Sequence, residues 1–273
     1  MTPAARIVGA ILSNPAVGKL GRAASDWVDL EWSLVRESLQ YAAPRARGRL
    51  LDVGCGDKQH EHIFRPFVDS YLGIEHEATY AATDASTHQV KADLLYDGKH
   101  LPFDDGTFDT VLSVQVLEHT PRPAELVSEM ARVLRRDGVL LMTVPFSFRL
   151  HEEPHDYLRF TPHILRELCQ NAGMTVEEIV PRGSLWTLIA HKLNSYLGLQ
   201  VAQIGGMAQI LGKLPHEQSA NRGARLWTLP LVAPAMFSLA FWGRVLDRVL
   251  PDPTETLGFL VIARRDGLLA ASA

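Results

Sequence analysis

Seven short candidate strands, the first two of them apolar runs and most closed by a glycine, an acid or a proline, constrain this chain more than any other feature. Leu50 to Val53 stops at Gly54, Tyr71 to Ile74 is closed by Glu75, and Gln89 to Ala92 is closed by Asp93. Thr110 to Val114, Val139 to Val144 before Pro145, Val176 to Val180 and Leu257 to Ala263 complete the series. Such runs are what parallel strands buried on both faces require.

Helical patterns with explicit boundaries lie among them. Residues 26 to 42 place Trp27, Leu30, Leu34, Val35, Leu39 and Ala42 at helical spacing before Pro44. Thr120 followed by Pro121 reads as a cap and first turn, with Leu126, Val127, Met130, Val133 and Leu134 inward and Arg135 to Gly138 as the stop. Thr161 with Pro162 opens another helix, lined by Ile164, Leu165 and Leu168 and ended by Gly173. Strands alternating with helices predict an α/β doubly wound, mostly parallel seven-stranded sheet, whose ligands bind at the carboxyl ends of the strands. The expected divisions are an N-terminal helical segment over 1–48, a core over 49–182, an apolar helical insertion over 183–256, and the last strand with a tail over 257–273.

Composition narrows the function classes. With 273 residues, 47% of them hydrophobic and 21% charged, the chain is globular and long enough for a sizeable core. Its 27 basic and 31 acidic residues offer no overall positive field, so no nucleic-acid partner is expected. Two cysteines, Cys55 and Cys169, make neither a disulfide framework nor a Cys-rich zinc site. A reducing cytoplasm is the expected location, and the apolar run Ile7 to Leu12 is shorter than a signal peptide needs.

The chemistry concentrates after the first two strands. Gly54 and Gly56 permit a sharp turn and let a ligand approach backbone N–H groups. A dinucleotide loop would carry a third glycine three residues after Gly56, where Gln59 stands, which disfavours a nicotinamide oxidoreductase. Glu75, at the tip of the second strand, sits where a carboxylate accepts both hydroxyls of a ribose. Together they point to an adenosine-containing ligand without a pyrophosphate.

Taken in order and spacing, Leu51 to Gly56, Tyr71 to Glu75, Ala92-Asp93-Leu94, Leu101-Pro102-Phe103, Phe108 to Val111, Val116-Leu117-Glu118-His119 and Leu134 to Val139 resemble class I S-adenosylmethionine-dependent methyltransferases of the type 11 group. The resemblance covers about residues 45 to 182 and the final strand, and implies a Rossmann-like fold with S-adenosylmethionine as cofactor. It implies that Asp52 lies near the methionine amino group, that Gly54 and Gly56 contact the amino-acid portion with Cys55 as small filler, and that Glu75 binds the ribose. Asp93 would accept the adenine amino group, Leu94 would flank the ring, and Gln115 would line the methyl-donor end. The non-enzymatic rival is a scaffold that binds the cofactor without consuming it.

The histidines offer candidates for acceptor chemistry. Glu118-His119 reads either as an acid and base pair or as a loop anchor. His151-Glu152-Glu153-Pro154-His155 matches a zinc-protease spacing, but Pro154 opposes the helix that pattern needs, so no metal is expected. The string Pro154 to Thr161 also resembles a segment of type 11 enzymes that act on glycans or lipid-linked intermediates. There His155 or Tyr157 could take a proton from an acceptor hydroxyl, while Arg159 could hold an acidic group or pair with Asp156; the alternative is a structural corner.

The insertion differs in kind. Between Gly183 and Leu246 five basic residues, Lys192, Lys213, Arg222, Arg225 and Arg244, stand against Glu217 alone, and no charge occurs from Leu226 to Gly243. Pro230 and Pro234 interrupt this run, so a helix is expected only beyond Pro234, with Phe237, Leu239, Phe241, Trp242, Val245, Leu246 and Val249 contrasting with Arg244, Asp247 and Arg248. That surface is expected either to lie on anionic lipid, making the protein peripheral at the inner face of a membrane, or to pack internally or on a second copy. The Asn-Pro-Pro-aromatic signature of amino-nitrogen methyltransferases is missing at Ser113 to Val116, so the expected reaction is O-methylation of a lipid-linked or other apolar small-molecule acceptor.

Overall fold

The computed structural model describes residues 27–78, 90–198 and 228–266. Expectations for residues 1–26, Gln89, Arg222 and Arg225 lie outside them. The chain divides into two compact units, Val35–Arg182 with Glu255–Ala273, and Met1–Leu34 with Gly183–Thr254.

The first unit is built on a seven-stranded sheet. Its strands are β1 (Arg49–Val53), β2 (Ser70–His76), β3 (Leu94–Tyr96), β4 (Phe108–Val114), β5 (Leu134–Pro145), β6 (Met174–Arg182) and β7 (Gly258–Arg265), in the order β3-β2-β1-β4-β5-β7-β6. β1 pairs parallel with β2 and β4, β2 with β3, and β4 with β5. β7 runs antiparallel between β5 and β6. The central position of β1 explains its continuous apolarity: Leu50, Leu51 and Val53 are all fully buried. Because the chain leaves β1 toward β2 on one side and reaches β4 on the other, a crevice opens at their carboxyl ends.

Helices α1 (Leu30–Ala42), α2 (Glu61–Phe64), α3 (Pro123–Val133) and α4 (Pro162–Asn171) accompany the strands, and the division between units falls within α1. The core joins Leu51, Val53, Val111, Leu140 and Met142 of the sheet to Leu126, Val127 and Met130 of α3 and Leu165 and Leu168 of α4. Glu129 and Arg132 of α3 hold the Leu101-Pro102-Phe103 loop by its backbone, accepting the Leu101 N–H and donating to the Leu101 and Phe103 carbonyls.

Three elements of this unit differ from expectation, the first being β5, which begins at Leu134 and so takes in Arg135 to Gly138, expected as the helix stop. The third strand is Leu94–Tyr96 rather than Gln89 to Ala92. Asp93 precedes it because its N–H donates to the Gly73 carbonyl while its carboxylate accepts the Gly73 N–H, which sets the start of pairing at Leu94. α3 starts at Pro123, not Pro121, because Thr120 Oγ1 instead accepts the N–H of Arg122 in a local turn.

In the second unit, α5 (Leu185–Tyr196) meets α6 (Leu229–Val249). α6 runs through Pro234, which removes one N–H donor near the start of the helix rather than delaying it. Its buried positions are Val232, Met236, Ala240 and Gly243, spaced along one face. A Cβ on Gly243 would lie 2.8 Å from that of Ala190, so small residues set the close approach. Of the residues expected on the apolar face, Phe237, Phe241 and Trp242 are exposed. Arg244, expected to reach lipid headgroups, donates to the Trp27 carbonyl and Ser33 Oγ and covers the Trp27 ring. Asp247, expected on a solvated face, accepts the N–H groups of Ser184, Trp186 and Thr187 and so caps α5. No helix among the described residues is long and apolar enough to cross a membrane.

Candidate functional site

The glycine turn follows β1 directly. Gly54, Gly56 and Lys58 all take positive φ, at 74°, 52° and 58°, a run that curls the backbone and that an L side chain disfavours at its first position. A Cβ on Gly54 would fall 2.4 Å from Val116 Cγ2, whereas nothing lies within 4 Å of the corresponding point at Gly56. The N–H groups of Gly54 and Cys55 both donate to the Ile74 carbonyl, at 2.9 and 3.1 Å. Burial, with the Asp52 charge adding, pushes the Cys55 thiol far up, so it is a neutral filler rather than a nucleophile.

Glu75 closes this turn from β2. Its Oε2 accepts the Gly56 N–H and its Oε1 the His76 N–H, each at 2.9 Å, and the residue is only 6% exposed. Asp93 lies one strand further out. Its Oδ2 accepts the Gly73 N–H at 2.8 Å and the Lys58 ammonium at 2.5 Å. Burial pulls the Asp93 pKa up, but the bonds from Lys58 and Gly73 outweigh it and hold the carboxyl below its usual range. Leu94 beside it is exposed.

Asp52 is enclosed, 3% exposed, with Oδ2 accepting the Tyr71 hydroxyl at 2.5 Å. Burial raises its pKa to about 7, against the opposing pull of the Tyr71 bond. Gln115 follows β4 at φ 55°, with its N–H on the Thr143 carbonyl and Nε2 on Thr143 Oγ1 at 3.2 Å.

The carboxyl ends of β4 and β5 form a second cluster. Residues 151–155 form turns rather than a helix, so His151 and His155 do not share a helical face. The segment hangs on the Glu118-His119 turn by two bonds, from the Tyr157 N–H to the Glu118 carbonyl and between His119 Nδ1 and the His155 carbonyl, both at 2.9 Å. Asp156 forms the corner: Arg159 binds both its oxygens at 2.6 and 2.8 Å, and the His151 N–H donates at 3.0 Å. Although burial raises the Asp156 pKa, the Arg159 and His151 bonds bring it down to about 2. Arg159 also donates to the Phe148 and Arg149 carbonyls, so of its two expected roles the structure shows the structural one. His155 and Tyr157 are different. Both are exposed and pair with each other, Nδ1 to hydroxyl, at 2.9 Å.

Sequence reasoning missed what the fold brings to the Glu118-His119 pair. His151 packs edge-on against His119 with ring centroids 4.8 Å apart, and donor atoms of Glu118, His119 and His151 all lie within 4.8 Å of one another. Glu118 is fully buried, and burial raises its pKa to about 8. Only the tandem Glu-His was a local signal, since His151 arrives from another strand.

Residues 51–142 match the family model described as a methyltransferase domain. A relative named a probable S-adenosylmethionine-dependent methyltransferase in Mycolicibacterium smegmatis is 31% identical over 148 residues, 51% of this chain and 57% of the relative. A similarly named protein of Mycobacterium tuberculosis is 30% identical over 107 residues, 39% of each chain. The matches thus span about half, or less, of these relatives' own length. A solved S-adenosylmethionine-dependent methyltransferase of Archaeoglobus fulgidus superposes with a TM-score of 0.47 at 15% identity, covering 86% of this chain and 94% of that one.

Proposed function

We propose, from the match of residues 51–142 to a methyltransferase domain, that the protein transfers the methyl group of S-adenosylmethionine to an oxygen of an apolar or lipid-linked acceptor at a membrane surface. The observation that carries the cofactor half is the Gly56–Glu75 hydrogen bond beside the open space at Gly56. In this reading the Gly54-Cys55-Gly56 turn takes the amino-acid portion, and Glu75 accepts the ribose hydroxyls with the lone pairs its two backbone donors leave. Asp93 accepts the adenine amino group on Oδ1, since both its bonds fall on Oδ2, and Leu94 flanks the ring. Asp52 meets the methionine ammonium, whose charge would hold that carboxyl ionised, and Gln115 lines the methyl-donor end.

Acceptor chemistry is assigned to the exposed pair. His155 takes the acceptor proton while bonded to Tyr157, and His119 positions their loop. The sulfonium is already a good leaving group, so alignment of oxygen, methyl and sulfur supplies much of the rate. The apolar acceptor and the membrane surface are supported by the basic insertion and by exposed Leu231, Phe241 and Trp242 on α6.

The test incubates the full chain with methyl-labelled cofactor and a membrane extract. Label is expected in base-stable ether or base-labile ester form in the lipid phase, reduced by His155→Ala or Tyr157→Phe with cofactor affinity unchanged. Phe241→Ser with Trp242→Ser is expected to lower labelling of membranes while leaving cofactor binding intact. Label that stays in the soluble fraction removes the lipid assignment.

A further inference from the structure

Glu118 presents a buried carboxyl group with no hydrogen-bond partner on either oxygen, within electrostatic reach of Arg159 and Arg182. Two buried oxygens left without a partner call for a ligand to fill their lone pairs. The two neighbouring imidazoles are oriented in a way that supplies the rest of a site. His119 Nδ1 lies 2.9 Å from the His155 carbonyl, which can only accept, so the ring proton sits on Nδ1 and Nε2 carries a lone pair. His151 Nδ1 lies 3.1 Å from Asp156 Oδ2 and 3.3 Å from the Arg149 carbonyl, again acceptors only, so its Nε2 is likewise a lone-pair donor. Metal-binding histidines show this arrangement, one nitrogen held by a carbonyl or carboxylate and the other on the ion. His119 Nε2 stands 3.8 Å from Glu118 Oε1 and 3.8 Å from Glu152 Oε2.

We propose that Glu118, His119 and His151 bind one divalent first-row transition ion. Two imidazoles and one carboxylate form the donor set that suits Zn2+, Mn2+ or Fe2+ and leaves coordination positions open. Bonds of about 2.1 Å place donor atoms about 3 to 3.5 Å apart, so the cluster contracts modestly on binding. The expectation of no metal considered His151 with His155; the fold pairs His151 with His119 instead.

The role of the ion rests on the methyl-transfer reading above. An acceptor hydroxyl on an open position loses its proton to the His155 imidazole more readily. Its oxygen then forms the bond to the methyl carbon as the carbon–sulfur bond breaks, the electron pair returning to sulfur. Asp156 and Arg159 become positioning residues that aim His151 at the ion.

The test is calorimetry of the chelator-treated full chain titrated with Zn2+ or Mn2+, with Co2+ absorption in the visible as a second readout. One equivalent is expected to bind, with affinity falling about 100-fold or more in Glu118→Gln and in His119→Gln, a loss like those of metal-site substitutions generally, and unchanged in His100→Gln. A cooperative thermal transition like that of the wild type shows that a variant is folded; His119→Gln serves if Glu118→Gln is not. No saturable uptake by the wild type, or uptake that survives Glu118→Gln, overturns the proposal. Neither readout involves methyl transfer, so loss of the metal site and loss of the cofactor assignment are separate results.

Discussion

Asp52 shows how one residue couples stability to ligand. Burial moves its pKa from 3.8 to about 7. Between those values the unfolded chain has released the proton and the folded chain has kept it. Stability therefore falls as pH rises through this window, by about 1.4 kcal/mol per unit, and is flat above it. Asp52→Asn keeps an acceptor for the Tyr71 hydroxyl and removes the ionisation. Urea unfolding without cofactor should show the variant gaining on the wild type from pH 5 to pH 8, by on the order of 2–4 kcal/mol; parallel pH profiles would refute the shift. The same variant should bind the cofactor more weakly, because a charge that the apo fold resists is the one an ammonium group needs. At this scale Gly54, Gly56 and Glu75 were legible, since a turn after a buried strand and an acid at the next strand's tip are local signals. The lone-pair orientation of His119 and His151 was not, because the first is set by a carbonyl 36 residues away and the second by the fold of the loop that brings the Arg149 carbonyl and Asp156 to the ring.

Among the elements, the misplaced ones share a cause. Periodicity identifies an apolar helix but not which apolar residues face inward. On α6 the small residues Ala240 and Gly243 take the contact with α5, and the large aromatics are left outside. β3 was placed early because Asp93 reads equally well as the end of one strand or the beginning of the next, and only its reciprocal bonds with Gly73 decide. The cap of α5 was hidden for the same reason, since Asp247 lies 60 residues beyond the Thr187 N–H it accepts. Asp247→Ala would remove this acceptor from the Trp186 and Thr187 N–H groups and the Ser184 hydroxyl, while the Ser184 N–H keeps Thr187 Oγ1 and the Thr187 hydroxyl keeps the Ser184 carbonyl. The expected cost is about 2 kcal/mol, read as a lower urea midpoint with the slope unchanged. Asp247→Asn should recover part of it, and an unchanged midpoint in the alanine variant would dismiss the cap.

Across the whole molecule, the doubly wound, mostly parallel sheet was readable because parallel strands buried on both faces announce themselves, while the acceptor was not, because it depends on side chains gathered from the ends of β4 and β5. The central claim is that the crevice at the carboxyl ends of β1 and β2 holds S-adenosylmethionine, with the Gly56 turn and Glu75 as its frame. The most direct measurement is calorimetry of the full chain with S-adenosylmethionine, S-adenosylhomocysteine and NAD, repeated with Glu75→Ala. The first two are expected to bind and NAD is not. Glu75→Ala should weaken binding by roughly 10- to 100-fold, the loss of hydrogen bonds to a charged group contributing about 1.5–3 kcal/mol. Binding of NAD in place of S-adenosylmethionine, or an affinity that Glu75→Ala leaves unchanged, would contradict it.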